Sequence, residues 1–318
     1  MRLILPALAL SGVLAACSTT TEPTPAAVSA TPPPADPVTY AMTGEPAPAD
    51  WRPRPVITVK IDNTLAGRPQ EGVGQADLVI EEPVEGGLTR LAAFYESAQP
   101  RRVGPVRSIR ASDVGLVSPV DATVVASGGS PEGLAAYEKA GITLIDESSG
   151  ALQRDGARPA PYNVFVDLAS LPRADLGGVP KKAYFDFGTT SLAAGRRTRQ
   201  ATITFSPSRT ETWAWNSKGH WEQADVPFRA TALIALSVTT VDTGQRDAAG
   251  TPIPEVVTSG RGSGYLLIDG EAHRILWEKR SPTAAYTFTT PAGLVVSVPP
   301  GRTWLALVEK GQGRVALS

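Results

Sequence analysis

The chain has 318 residues, 42% of them hydrophobic and 19% charged, with a formal net charge of −1. This composition supports a packed body and excludes wholesale disorder, and at this length two domains plus tails are expected. It also excludes a general nucleic-acid binder, which needs a basic face to neutralise phosphates.

The chain opens with MRLILPALALSGVLAAC. Arg2 is a minimal positive start, Leu3 to Leu14 form an apolar run, and small residues lead up to Cys17. Residues 1–16 are therefore predicted to be a signal peptide. Leu14-Ala15-Ala16-Cys17 is similar to a bacterial lipobox, which implies cleavage before Cys17, a diacylglycerol thioether on its sulfur and a palmitate-type chain on its amino group. The apolar run is shorter than the roughly 20 residues of a membrane span. An exported protein held at the extracytoplasmic face of the cell membrane by its lipid, without crossing it, is the expectation. Cys17 is the only cysteine, so no intramolecular disulfide can form.

Residues 17–55 are rich in Pro, Ala and Thr and lack a hydrophobic period, which predicts a disordered tether. Strand-like runs follow at VITVKI (Val56 to Ile61), DLVIEEP (Asp77 to Pro83), LAAFYES (Leu91 to Ser97), DATVVAS (Asp121 to Ser127) and NVFVDL (Asn163 to Leu168). Helices are predicted from Ser108 over SIRASDVGLV and over Pro131 to Gly141. The second has Ser130 as N-cap, Pro131 at its first position and Gly141 at its end. Alternating strands and helices predict an α/β domain over 56–180. From 181 to 318 short strand-like runs alternate with turn signals such as Asn216 to Gly219 and Asp269-Gly270, predicting a β-rich domain. The expected class is thus mixed α+β, with an α/β half followed by a β half.

Several segments carry a family resemblance: KIDN (Lys60 to Asn63), RPQ (Arg68 to Gln70), GVGQADLVIEEPVEGGLTRL (Gly72 to Leu91), VGPVRSIR (Val103 to Arg110), GGSP (Gly128 to Pro131) and RPAPYNVF (Arg158 to Phe165). In the second half GRGSGYLLIDG (Gly260 to Gly270), ILWEKRS (Ile275 to Ser281) and PPGRTWLALV (Pro299 to Val308) extend it. Together they resemble YerB-like bacterial lipoproteins, which carry paired domains of unknown function numbered 3048. The resemblance implies an exported two-domain lipoprotein and supplies no catalytic residue.

Site chemistry must come from the residues. Glu81, Glu82 and Glu85 precede Gly86-Gly87 and Arg90. Three carboxylates at a glycine turn can hold a hard cation, act as general acid and base, or pair with arginines, and their spacing matches no calcium loop. If Ser108 starts a helix, Arg107, Arg110 and Asp113 share one face, so the two guanidiniums can clamp an anion or form internal ion pairs. Arg101 and Arg102 read as a solvated surface turn. Gly128, Gly129 and Ser130 lie between a strand and a helix, the place for a ligand loop or simply for an N-cap. Asp62, Asn63, Arg158 and Asn163 complete the candidate binding set. Two histidines, His220 and His273, give little basis for a triad or zinc site, and neither a metal nor a cofactor is expected.

The expected function is a cell-envelope binding or interaction module with an anion site in its first half. The alternative is an envelope phosphotransferase or hydrolase acting on a lipid-linked or polymer substrate. Expected partners are the membrane, through the lipid, and an envelope protein, a glycan or an anionic small molecule, with no role for nucleic acid.

Overall fold

Runs of β-branched and aromatic residues bounded by Gly, Pro and Asp become strands throughout the computed structural model, which describes residues 37–246 and 250–318. Cys17, the signal peptide and the tether up to residue 36 lie outside the described residues. The first half contains β1 (Ile57–Asp62), β2 (Leu78–Pro83), β3 (Thr89–Tyr95), the one-turn helix α1 (Val114–Val117), β4 (Thr123–Val125), α2 (Pro131–Ala140), β5 (Leu144–Ile145), β6 (Leu152–Arg154) and β7 (Val164–Val166). The second half contains β8 (Arg196–Arg197), β9 (Gln200–Ser206), β10 (Arg209–Trp215), β11 (Trp221–Gln223), β12 (Arg229–Ala230), β13 (Ala232–Val238) and the hairpin β14 (Thr240–Arg246) with β15 (Pro252–Val256). It continues with β16 (Gly260–Ile268), β17 (Glu271–Lys279), β18 (Thr287–Thr289), β19 (Val295–Val296), β20 (Thr303–Glu309) and β21 (Arg314–Leu317).

The second predicted helix forms as α2. Ser130 Oγ accepts a hydrogen bond from Gly133 N at 3.1 Å, and Gly141 ends the helix at a φ of 68°. The first does not form. Ser108 to Arg110 are extended, Ala111–Asp113 make a tight turn, and only Val114–Val117 are α-helical. Arg107 and Arg110 therefore do not share a helical face. Among the described residues α2 is the one helix longer than a turn, so the protein is mostly β-sheet with few helices, and its first half is less helical than expected.

The main sheet has 12 strands in the order β19-β18-β17-β16-β13-β20-β2-β3-β1-β4-β5, with β8 added beside β17. The halves meet at its centre, where β2 runs parallel to β20 and Val79 lies beside Trp304. The change of texture near residue 180 thus marks a change of connectivity within one continuous sheet. β1, β2 and β3 are buried along their whole length because both faces of the sheet are covered. A second sheet, β12-β11-β10-β9-β21, covers one face and packs Ile203, Trp213 and Trp221 with Val59, Val79 and Trp304. The opposite face packs Ile80, Phe94 and Leu305 with Leu116, Tyr137, Tyr184 and Phe288. Trp213 and Trp304 meet edge to face at 5.0 Å, so these indoles fill the core.

Residues 37–55, read from composition as the end of the tether, pack against this body. Met42 is buried, its N–H donates to Glu96 Oε2 at 2.9 Å, and the Thr43 carbonyl accepts from Gly301 N. Burial, opposed by the bond from Met42 and reinforced by Asp77, pushes Glu96 up to about 7. An acid whose pKa is raised by folding stabilises fully below its unfolded value, and that contribution is lost as pH rises through the folded value. Wild type should therefore lose ~1–3 kcal/mol relative to Glu96→Gln between about pH 5 and pH 7.5. Urea midpoints of the two proteins at both pH values check this; parallel midpoints would refute it.

Candidate functional site

β1, β2 and β4 all run parallel to one another, and their carboxyl ends lie at one edge of the main sheet. Asp62 and Glu82 end β1 and β2 on either side of Arg90, their common neighbour on β3. Ser127 to Ser130 follow β4 at the same edge. Open α/β sheets place ligands at such edges because loops, not ladder hydrogen bonds, present polar groups there.

The sheet divides this edge into two polar clusters, since alternate residues face opposite sides. On the α2 side, Lys60 is fully buried and its Nζ meets Glu82 Oε1 at 2.5 Å and Asp113 Oδ1 at 2.6 Å. Ser112 Oγ donates to the other Glu82 oxygen at 3.2 Å. Burial opposes the Lys60 charge, but Asp113 and Glu82 outweigh it and raise its pKa. Burial and then Asp113 push Glu82 up to about 8, whereas the Lys60 ammonium overcomes burial to hold Asp113 low. Near neutrality Asp113 carries the negative charge and Glu82 the proton, so Lys60 has one charged partner.

Beside this triad sit three arginines. Arg90 donates to Glu85 Oε1 at 3.0 Å and to the Ser108 carbonyl at 3.2 Å. Arg110 also bonds Glu85 Oε1, and its backbone N–H donates to Asp113 Oδ2 at 2.7 Å. Arg107 instead pairs with Asp62, Nε to Oδ2 at 3.0 Å, with the Tyr162 ring 5.9 Å from its guanidinium carbon. Burial, then Arg110, with Arg107 adding to it against the attraction of Glu85, pushes Arg90 down to about 10. Arg90 and Arg110, against the cost of burial, hold Glu85 below the usual glutamate range. Arg107 is the most open of the three arginines, its side chain 24% exposed against 7% for Arg90 and 13% for Arg110.

Other predicted residues meet Arg107 through their loops. The Arg107 carbonyl accepts from Ser127 N, and Ile109 N donates to the Gly128 carbonyl. Gly128 has a φ of 109° and open space where a Cβ would lie, so this turn favours glycine and faces no neighbour. Gly129 is close against Ile109, and Ser130 Oγ is occupied with capping α2. Arg158 is a brace, donating to the Gly67 and Pro69 carbonyls at 2.7 and 3.1 Å. Asn163 Oδ1 accepts from Arg154 at 3.2 Å, on the surface. Arg101 and Arg102 are both exposed, as expected, and Arg102 binds Glu71 and Asp155 while stacking on Phe165 at 3.8 Å.

Asn63 belongs to the other cluster. Its Nδ2 donates to Glu81 Oε1 and Thr89 Oγ1, both at 2.9 Å, and Gln70 Nε2 donates to its Oδ1. Arg209, from the second half, donates Nε and Nη2 to Glu81 Oε1 at 3.0 and 2.9 Å and also reaches Glu211 at 3.0 Å. Burial and then Glu81 push Glu211 well above the ordinary range. Among the described residues no group of acids, histidines or cysteines has the geometry of a metal site.

Sequence reasoning places Arg90 with the glutamates but misses Lys60 and Arg209 as members of these clusters. A signal existed for Lys60: a lysine inside ITVKID, a strand apolar on both faces, must be buried and hence paired.

Residues 42–177 match the family model described as Protein of unknown function (DUF3048) N-terminal domain, and residues 201–305 match its C-terminal domain. A relative from Bacillus subtilis (strain 168), named "Putative lipoprotein YerB", is 34% identical over 125 residues, 38% of this chain and 37% of the relative. That alignment thus spans little more than a third of the relative's length. The crystal structure of YerB protein from Bacillus subtilis matches with a TM-score of 0.74 at 19% identity, over 88% of this chain and 99% of that one, which shows a shared fold. With both domain models matched along most of its length, the chain belongs to the DUF3048 family.

Proposed function

We propose that this protein is an exported, lipid-anchored binding module of the cell envelope that takes an anionic group at the carboxyl edge of β1 and β4. The LAAC segment ending at Cys17 and the lipoprotein name of the relative support the anchor. For the site, the carrying observation is the crowding of Arg90, Arg107 and Arg110 at one strand edge, with Arg107 the most open of them. Four cations (Lys60, Arg90, Arg107 and Arg110) face four acids (Asp62, Glu82, Glu85 and Asp113) there. Because Glu82 keeps its proton near neutrality, the edge holds one positive charge in excess. An anion beside Arg107 and the open Gly128 turn would relieve the mutual repulsion of the guanidiniums.

Titration of residues 37–318 with inorganic phosphate and sulfate, followed by calorimetry, tests the reading. We expect saturable binding that weakens about tenfold in Arg107→Ala. Equal affinity in wild type and variant, or no binding to either, would remove the anion site.

A further inference from the structure

We propose that a cavity between α2 and the β14–β15 hairpin binds an uncharged amphiphile, its apolar body against Ala136 and Val256 and its hydrogen-bonding head at Ser112. The cavity, which is open to solvent, has a volume of about 590 Å³, within the roughly 300–1,000 Å³ typical of small-molecule sites. Its walls are mostly small and apolar, with Val114, Ala136, Ala140 and Pro282 joining Val256. No aromatic ring fills it, so an elongated or planar apolar body has room.

The hairpin makes this a pocket and not an open helix face. β14 and β15 pair only with each other among the described strands, while Val256 is buried in the core and Thr258 stands where Gly115 leaves room for it. Two valines on the cavity wall, Val241 and Val257, remain 44% and 37% exposed. Apolar side chains lining a concave site are stabilised when a ligand removes them from water.

Of the hydroxyl residues in the lining (Ser112, Ser118, Thr258, Ser259 and Thr283), Ser112 also belongs to the buried Lys60–Glu82–Asp113 cluster. Its hydroxyl is paired with Glu82 and retains capacity for a further hydrogen bond, so a matching head carries a hydrogen-bonding group. Charge is not selected: the lining contains one lysine, Lys139, and one glutamate, Glu255, which cancel. Two buried tyrosines adjoin this cluster: Tyr137, on the same helix as Ala136 and Ala140, lies against Asp113, and Tyr286, close in sequence to Pro282, has a hydroxyl without a hydrogen-bond partner among the described residues. None of Arg90, Arg107 and Arg110 lines this pocket.

The test uses residues 37–318, which form one compact unit with a core on each face of the sheet. Aminoanthracene, a neutral fluorescent amine with an apolar body and an N–H donor, should bind saturably with enhanced emission. Ala136→Trp and Val257→Trp fill opposite walls from partly exposed positions and should each weaken binding about tenfold at unchanged thermal midpoint. Decanol should displace the dye at concentrations about tenfold below those needed for decanoate or decylamine, a comparison that needs no variant. Arg107→Ala should leave dye binding unchanged, so failure here and failure of the anion site are distinguishable. Absence of saturable binding, unchanged affinity in both folded tryptophan variants, or equal displacement by the charged and neutral chains would overturn the proposal.

Discussion

Lys60→Met should cost about 3–5 kcal/mol of unfolding free energy, because it leaves two carboxyl groups buried without their cation. Lys60, Glu82 and Asp113 are each wholly inaccessible to solvent, so water cannot screen the remaining acids. The pH dependence has a definite sign. Without Lys60 both acids gain folded-state pKa values above their unfolded ones, and such groups stabilise only while protonated. The deficit should therefore be largest above about pH 8 and shrink toward about pH 5. Glu82→Gln provides the contrast: Glu82 already holds its proton near neutrality, so the loss should be only about 1 kcal/mol, that of one altered hydrogen bond. Urea unfolding followed by circular dichroism measures all three proteins. A Lys60→Met variant as stable as wild type at alkaline pH would contradict this account of the triad.

Arg209→Leu should be comparably damaging, by about 3–5 kcal/mol, for a different architectural reason. Arg209 lies on β10 in the covering sheet, and its main partner Glu81 lies on β2 at the centre of the large sheet. Removing the guanidinium strands Glu81 and Glu211, both fully buried, and loosens the contact that fixes one layer on the other. Trp213 reports the change directly, since its indole N–H donates to Glu211 at 2.9 Å. Its emission should shift in the folded state of the variant. Arg209→Lys restores the charge but cannot deliver the paired Nε and Nη2 contacts, so partial recovery is expected. A loss below about 1 kcal/mol in Arg209→Leu would mean that the cluster is surface-like in energy despite its burial.

Strands were the most legible part of the fold. ITVKID, LVIEEP and TVV carry dense β-branched runs between turn residues, and these local signals survive in any tertiary context. The α2 helix was legible for a similar reason, because Ser130, Pro131 and Gly141 act within a few residues of themselves. SIRASDVGLV reads locally as a helix from Ser108, and only Val114–Val117 form one. Arg107 N instead donates to the Lys60 carbonyl of β1, Ile109 N donates to the Gly128 carbonyl and the Arg107 carbonyl accepts from Ser127 N, long-range bonds that outweigh local propensity. Likewise the proline-rich stretch before Trp51 has the composition of a tether, yet Met42 finds a buried seat against residues far along the chain.

The candidate site was only half legible. Arg107, Arg110, Glu85 and Asp62 were singled out from charge and glycine patterns, but their pairing, Arg107 with Asp62 and Arg110 with Glu85, depends on which strand lies beside which. By itself the sequence determined the lipobox-like start, the strand-rich body and the family, because these are written in contiguous residues. Tertiary structure decided that β2 and β20 join the two halves in one sheet, that Lys60 is buried between two acids, and which arginine stays open. Those outcomes depend on contacts between residues tens to hundreds of positions apart. Burial and partner choice, not residue type, set the charge state of each group there.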